Sequence, residues 1–194
     1  MTLPPNLTII EGDLLKILDT NPEIKIAHQT NCVTWTSAGL GKLIFDKVEN
    51  SNIYSRRFNK KQFIIDQPGT ITLSGNDRII NMFGQFLPSK PCKYNISKYY
   101  GQIEYAKHIK FIDNTDEETY QQRLQWFKNC LDQIGMILSS SSHNTTEVPT
   151  HTIAFPYEIG CGLAGGIWKD YYNMLYNFSL TYPNLNILIV RLKK

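Results

Sequence analysis

No apolar run in this chain approaches the roughly 20 residues that a helix needs to cross a bilayer, which excludes a helical membrane protein. Met1 to Pro5 also lack the basic and apolar regions of a secretory leader. Cysteine is sparse and scattered. Cys32, Cys92, Cys130 and Cys161 form no CxxC pair and stand at no metal-ligand spacing with His28, His108, His143 or His151. No metal site is therefore expected, and the thiols should be reduced in an intracellular protein, cytoplasmic or nuclear. Charge is thin as well: charged residues make up 19% of the chain, and Lys plus Arg exceed Asp plus Glu by only 20 to 17. With no long basic run, that balance suits a small anionic ligand and argues against specific nucleic-acid binding.

What is present is a globular composition, 42% hydrophobic over 194 residues, enough for one domain with a sizeable core. Leu7 to Ile10 reads as a strand, followed by Glu11-Gly12-Asp13 and a short helix spaced by Leu14, Leu15 and Leu18. Ile24 to Ala27 reads as a second strand, with His28 to Asn31 placed after its end. Leu40, Leu43, Ile44 and Lys47 predict a helix. Helical character continues over Ile53 to Phe58 towards Arg56, Arg57, Lys60 and Lys61, a patch read as a solvated face.

Thr70 to Leu73 and Arg78 to Phe83 flank Ser74-Gly75-Asn76-Asp77, a strong hairpin signal. Gly84 to Lys110, rich in Tyr, Lys and Pro, has no clear period and reads as a long loop or lid, an insertion over about 86–113. Thr115 with Glu118 forms a capping-box pattern ahead of a helix carried by Tyr120, Leu124, Phe127, Leu131, Ile134 and Leu138. A polar connection over about 139–150 leads to the strand Thr152 to Phe155, a helix from about Gly166 to Leu180 and a last strand, Leu185 to Leu192. Alternating strands and helices with one hairpin predict a three-layer α/β/α domain around a mixed, mainly parallel sheet.

The densest signal is Tyr157 to Trp168, which packs Gly160, Gly162, Gly165 and Gly166 into seven positions between a strand and a helix. Glycines there allow positive φ and close backbone approach, and free N–H groups at a helix start favour an anion such as phosphate. A tight turn with no ligand is the plainer alternative. Gly160, Gly162 and Gly165 formally satisfy GxGxxG, but the dinucleotide fingerprint needs an acidic residue about twenty positions on. Leu185 to Lys194 contain none. Two further roles fit the same region: Cys161 as a nucleophile at a helix N-terminus with His28 as its base, or His28 alone as a general base at a strand end. A buried cysteine and a hydrogen-bonded structural histidine are the respective alternatives.

Four ordered motifs, Glu11-Gly12-Asp13-Leu14-Leu15, Ala27-His28-Gln29-Thr30-Asn31-Cys32 leading to Ala38-Gly39-Leu40, Asn81-Met82-Phe83-Gly84-Gln85, and Phe155 to Trp168, together resemble the macro domain. The likeness is strongest to the branch holding phage and bacterial macro proteins, the yeast-type ADP-ribose 1''-phosphate phosphatase and the human-type terminal ADP-ribose protein glycohydrolase. The resemblance implies a single macro domain over 1–194, a monomer without cofactor, whose partner is ADP-ribose, a derivative of it or an ADP-ribosylated protein.

By motif position the resemblance implies that Asp13 accepts from the adenine amino group, with Gly12 and Leu14 lining that end. Asn31 would hold a hydroxyl of the distal ribose, and Ala38, Gly39 and Leu40 would wrap the distal phosphate. Ile159, Gly160, Cys161, Gly162, Leu163, Ala164 and Gly165 would serve the diphosphate, with Phe83 also at the ligand. For Asp13 and Asn31 an ordinary cap or turn role is the alternative. His28, shared with the yeast-type phosphatase, and Asn31 are the implied catalytic residues.

The chain departs from the glycohydrolase, whose lysine and aspartate are replaced here by Gly84 or Gln85 and by Ala164. Its lysine-adduct mechanism does not carry over unless Lys90 or Lys93 reaches the site. Ser37 stands where a glycine is usual, and Trp35 adds bulk near the distal ribose. Hydrolysis of a group from the distal ribose is the leading expectation, and a non-catalytic reader of ADP-ribose is the other.

Overall fold

The computed structural model of the protein describes residues 3–59, 62–63, 65–92, 117–140 and 151–193. The chain runs through β1 (Leu7–Glu11), α1 (Leu14–Thr20), β2 (Ile24–Asn31), α2 (Gly39–Lys47), a 3-10 turn (Ile53–Arg56), β3 (Phe58–Asn59) and β4 (Gln62–Phe63). It continues through β5 (Ile71–Ser74), β6 (Ile79–Gln85), α3 (Tyr120–Ser140), β7 (His151–Pro156), α4 (Trp168–Thr181) and β8 (Leu185–Arg191).

Six strands form one sheet in the order β1-β8-β7-β2-β6-β5. Every pairing is parallel except β5 with β6, the expected hairpin. Its turn places Gly75, Asn76 and Asp77 at positive φ, the conformation those residue types tolerate best. Side chains alternate across the sheet, so each strand feeds two cores. Ile24 and Ile26 of β2, Ile79 and Phe83 of β6 and Val190 of β8 pack with Leu14 and Leu18 of α1 and Ile44 and Phe45 of α2. Ala27, Ile80, Met82, Ile153, Phe155, Ile187 and Ile189 pack on the other face, against Phe127, Leu131 and Ile134 of α3 and Tyr171, Leu175 and Phe178 of α4. The fold is thus a three-layer α/β/α sandwich. Each large apolar side chain buried in this way contributes about 1.5–3 kcal/mol.

Several boundaries differ from the sequence reading. β2 continues through His28, Gln29, Thr30 and Asn31, which were expected beyond the strand end. Neighbouring strands satisfy these polar residues: His28 bonds to Asn81 of β6, and the Thr30 hydroxyl donates to the Met82 carbonyl. The helix expected over Ile53 to Phe58 is one 3-10 turn followed by β3.

Arg57, assigned to a solvated face, is fully buried. Thr115 lies outside the described residues, and the cap of α3 is the reciprocal pair four residues on: Thr119 Oγ1 accepts from the Gln122 N–H while Gln122 Oε1 accepts from the Thr119 N–H. Glu118 serves another purpose, described below. Most of the expected 86–113 insertion and residues 141–150 of the polar connection lie outside the described residues. Among the described residues, no helix is long and apolar enough to cross a membrane.

Candidate functional site

The carboxyl ends of the parallel strands share one edge of the sheet, and a cavity of about 640 Å³ opens there. His28 to Asn31 of β2 form part of its lining, together with Tyr54 and Gln85. Thr34 to Ser37 and the first turn of α2 bound it on one side, and Pro156 to Gly160 with Gly162 to Ala164 bound it on the other. Glu158, exposed, is the one formally charged residue among the described lining.

Both walls present backbone donors. α2 begins at Gly39 with no side chain capping it, so its first N–H groups lack an intrahelical acceptor, and the turn that carries them, Gly39 to Gly41, lines the cavity. In the opposite loop, Gly166 N–H donates to the Gly160 carbonyl and Gly165 N–H to the Gly162 carbonyl. Among the described residues, the N–H groups of Gly162, Leu163 and Ala164 have no protein acceptor. Glycine has two distinct uses here. Gly160 sits at φ 74°, and a Cβ would lie 2.6 Å from the Tyr171 ring, so the turn excludes a side chain. Gly162 has nothing within 4 Å of a built Cβ, so it leaves space open for a ligand.

Two buried ion pairs hold these walls. Arg57 donates from Nε to Asp66 Oδ2 (2.7 Å), from Nη1 to the Thr34 carbonyl (2.7 Å) and from Nη2 to the Asn31 carbonyl (2.5 Å), which pins the turn after β2. Arg123 of α3 donates to the Ala164 carbonyl (2.8 Å) and to Glu118 Oε2 (2.7 Å). Glu118 also accepts the Phe86 N–H (2.6 Å) and the Leu87 N–H (3.2 Å) just beyond β6. One arginine-centred network therefore positions each wall. Sequence reasoning missed Tyr54, Arg57, Asp66 and Arg123 and misassigned Glu118. Arg57 and Asp66, nine positions apart around a short strand pair, leave no periodic mark.

His28 is 2% exposed and its orientation is fixed. Asn81 donates from Nδ2 to the Thr72 carbonyl (3.0 Å) and the Ser74 hydroxyl (2.8 Å), which turns its Oδ1 towards the imidazole. Nε2 of His28 must then carry the hydrogen of the 2.9 Å bond, leaving Nδ1, beside Gly41 of α2, as the acceptor. Burial pulls the His28 pKa down to about 4 despite the opposing effect of the Asn81 bond. The ring is neutral at physiological pH and a weak base. Cys161 is no better placed as a nucleophile: burial, with Glu158 nearby, pushes its thiol up to about 11, and its Sγ donates to the Ile159 carbonyl. His28 is bonded to Asn81 and not to Cys161.

Of the residues singled out from the sequence, His28, Asn31, Ala38, Gly39, Leu40, Ile159, Gly160, Gly162, Leu163 and Ala164 meet at the cavity. Gly12, Asp13, Leu14, Phe83, Cys161 and Gly165 do not line it. Asp13 lies on the same sheet edge beyond β1, where its Oδ1 caps α1 by accepting the Leu15 N–H at 2.9 Å. Leu14 and Phe83 are core residues. Gly165 instead faces the Lys90 side chain, whose Cγ would lie 2.6 Å from a built Cβ. Among the described residues, no three His, Cys, Asp or Glu side chains gather as a metal site.

No family model matches this chain, and no curated protein matches it in sequence. Its fold is similar to a solved structure from Bacteroides thetaiotaomicron, described as that of a protein of unknown function. The TM-score is 0.59 with 17% sequence identity, over 95% of this chain and 97% of the other. That likeness extends to the fold, an α/β sandwich shared along nearly the whole of both chains.

Proposed function

We propose that the protein is a macro-type domain that binds ADP-ribose, or a derivative substituted on the distal ribose, and hydrolyses that substituent. One observation carries the reading. Two sets of N–H groups without a protein acceptor, at the start of α2 and over Gly162 to Ala164, belong to segments that line one cavity, whose described lining includes no cationic side chain. Such a cradle suits a diphosphate, because oriented N–H dipoles stabilise anionic oxygens without an ion pair. The dinucleotide alternative lacks its ribose-binding acid after β8.

Hydrolysis in this site relies on placement more than on base strength. Nδ1 of His28 accepts from a water and orients it, while the surrounding N–H groups stabilise negative charge developing on the leaving or attacked oxygen. The low His28 pKa and the absence of an acid at Ala164 favour the second reading, a domain that binds the ligand without turnover. Calorimetric titration with ADP-ribose, followed by product analysis with ADP-ribose 1''-phosphate, separates the two. Binding with phosphate release supports the hydrolase, binding alone supports the reader, and no binding refutes both.

A further inference from the structure

We propose that Tyr54 and Asn31 form a corner of the cavity that offers hydrogen donors only, and that it recognises a hydrogen-free oxygen on the substituent of the distal ribose. The inference rests on the ADP-ribose reading and assigns a role to Tyr54. The Tyr54 hydroxyl oxygen accepts the Asn31 N–H (3.1 Å) and Asn31 Nδ2 (2.9 Å). With both lone pairs engaged, its own hydrogen must point elsewhere, and no acceptor for it is found among the described residues. The side chain is 6% exposed and lines the cavity.

Asn31 is equally one-sided. Its Oδ1 accepts the Val33 N–H (3.0 Å), the Thr34 N–H (2.8 Å) and Arg57 Nη1 (3.3 Å), and the Thr34 hydroxyl, 3.0 Å away, divides its one hydrogen between this oxygen and the Thr36 carbonyl. No accepting capacity is left, and the side chain has only its second Nδ2 hydrogen to give. A hydroxyl placed against these two side chains could accept from them but would find no acceptor on either for its own hydrogen, whereas a phosphate or ester-carbonyl oxygen matches both donors. The Arg57 guanidinium lies 4.1 Å from the centroid of the Tyr54 ring and draws electron density from it, which strengthens the O–H as a donor. Burial raises the phenol pKa against the lowering effect of Arg57, so the hydroxyl keeps its proton at neutral pH.

The test is calorimetric titration of wild type and Tyr54→Phe with three ligands: ADP-ribose, ADP-ribose 1''-phosphate and an acyl ester of the distal ribose. The expected result is that Tyr54→Phe weakens one or both substituted ligands by about tenfold and ADP-ribose by less than about threefold. Which substituted ligand loses affinity identifies the oxygen as phosphate or carbonyl. Equal loss for all three, or no loss, overturns the inference and leaves the ADP-ribose reading intact. Failure of the wild type to bind any of them overturns that reading and the corner's role together. If the Phe variant does not fold, 3-fluorotyrosine at position 54 is expected to tighten the substituted ligand, and unchanged affinity overturns the proposal.

Discussion

His28 is central to both stability and chemistry. Its pKa is about 4 when folded against 6.5 when exposed, so the unfolded chain takes up a proton that the folded chain refuses. The stabilisation is complete above pH 6.5 and is lost as pH falls towards 4, the loss there being about 3 kcal/mol. Urea denaturation of wild type and His28→Gln across that window checks the sign: the wild type should lose more stability than the variant. A parallel loss in both would place the acid sensitivity elsewhere. The arginine networks give a second prediction. Arg57→Met leaves Asp66 to the partly exposed Arg56 alone and releases the Asn31 and Thr34 carbonyls, whereas Arg123→Met strands Glu118 in a buried setting, so the first variant should lose about 1–3 kcal/mol and the second about 3–5 kcal/mol in denaturant melts. Little of this was legible from the sequence, because whether an arginine is solvated or buried depends on a partner that the fold supplies.

Elements were easier to read than residues. The hairpin turn, the period of α3 and the short apolar strands β7 and β8 left direct marks, and the structure places each within a few residues. β2 was cut short because His28 to Asn31 look polar; only β6 beside them supplies the partners that make those residues strand-compatible. The capping box was misplaced for a related reason. Both Thr115/Glu118 and Thr119/Gln122 fit the pattern, and the hydrogen bonds of Phe86 and Leu87 claim Glu118 for the site.

The glycine loop supplies a contrasting pair of variants. Gly160→Ala adds a side chain at φ 74° against Tyr171 and Gln29, and should cost at least about 1–2 kcal/mol in thermal or urea melts. Gly162→Val meets open space, so its melt should stay close to wild type while ligand binding is lost, because the branched side chain occupies the diphosphate path. Retained affinity in that variant would refute the placement of the diphosphate.

At the scale of the whole molecule, the sheet brings the loop after β2, the start of α2 and the loop after β7 to one edge, and this convergence turns scattered motifs into a cavity. The convergence was legible only through the general rule that ligands collect beyond the carboxyl ends of parallel strands. The separation of Asp13 from the cavity lining was not, since it depends on β8 and β7 lying between β1 and β2. A cradle of neutral N–H groups also behaves differently from one of lysines. Raising salt from about 0.05 to about 0.5 M should leave the affinity for ADP-ribose within about threefold, because no ion pair at the described lining is screened. The most direct measurement is calorimetric titration of the intact protein with ADP-ribose, with Gly162→Val in parallel. Saturable one-to-one binding by the wild type and its loss in the folded variant are predicted; absence of binding by the wild type would contradict the account at its centre.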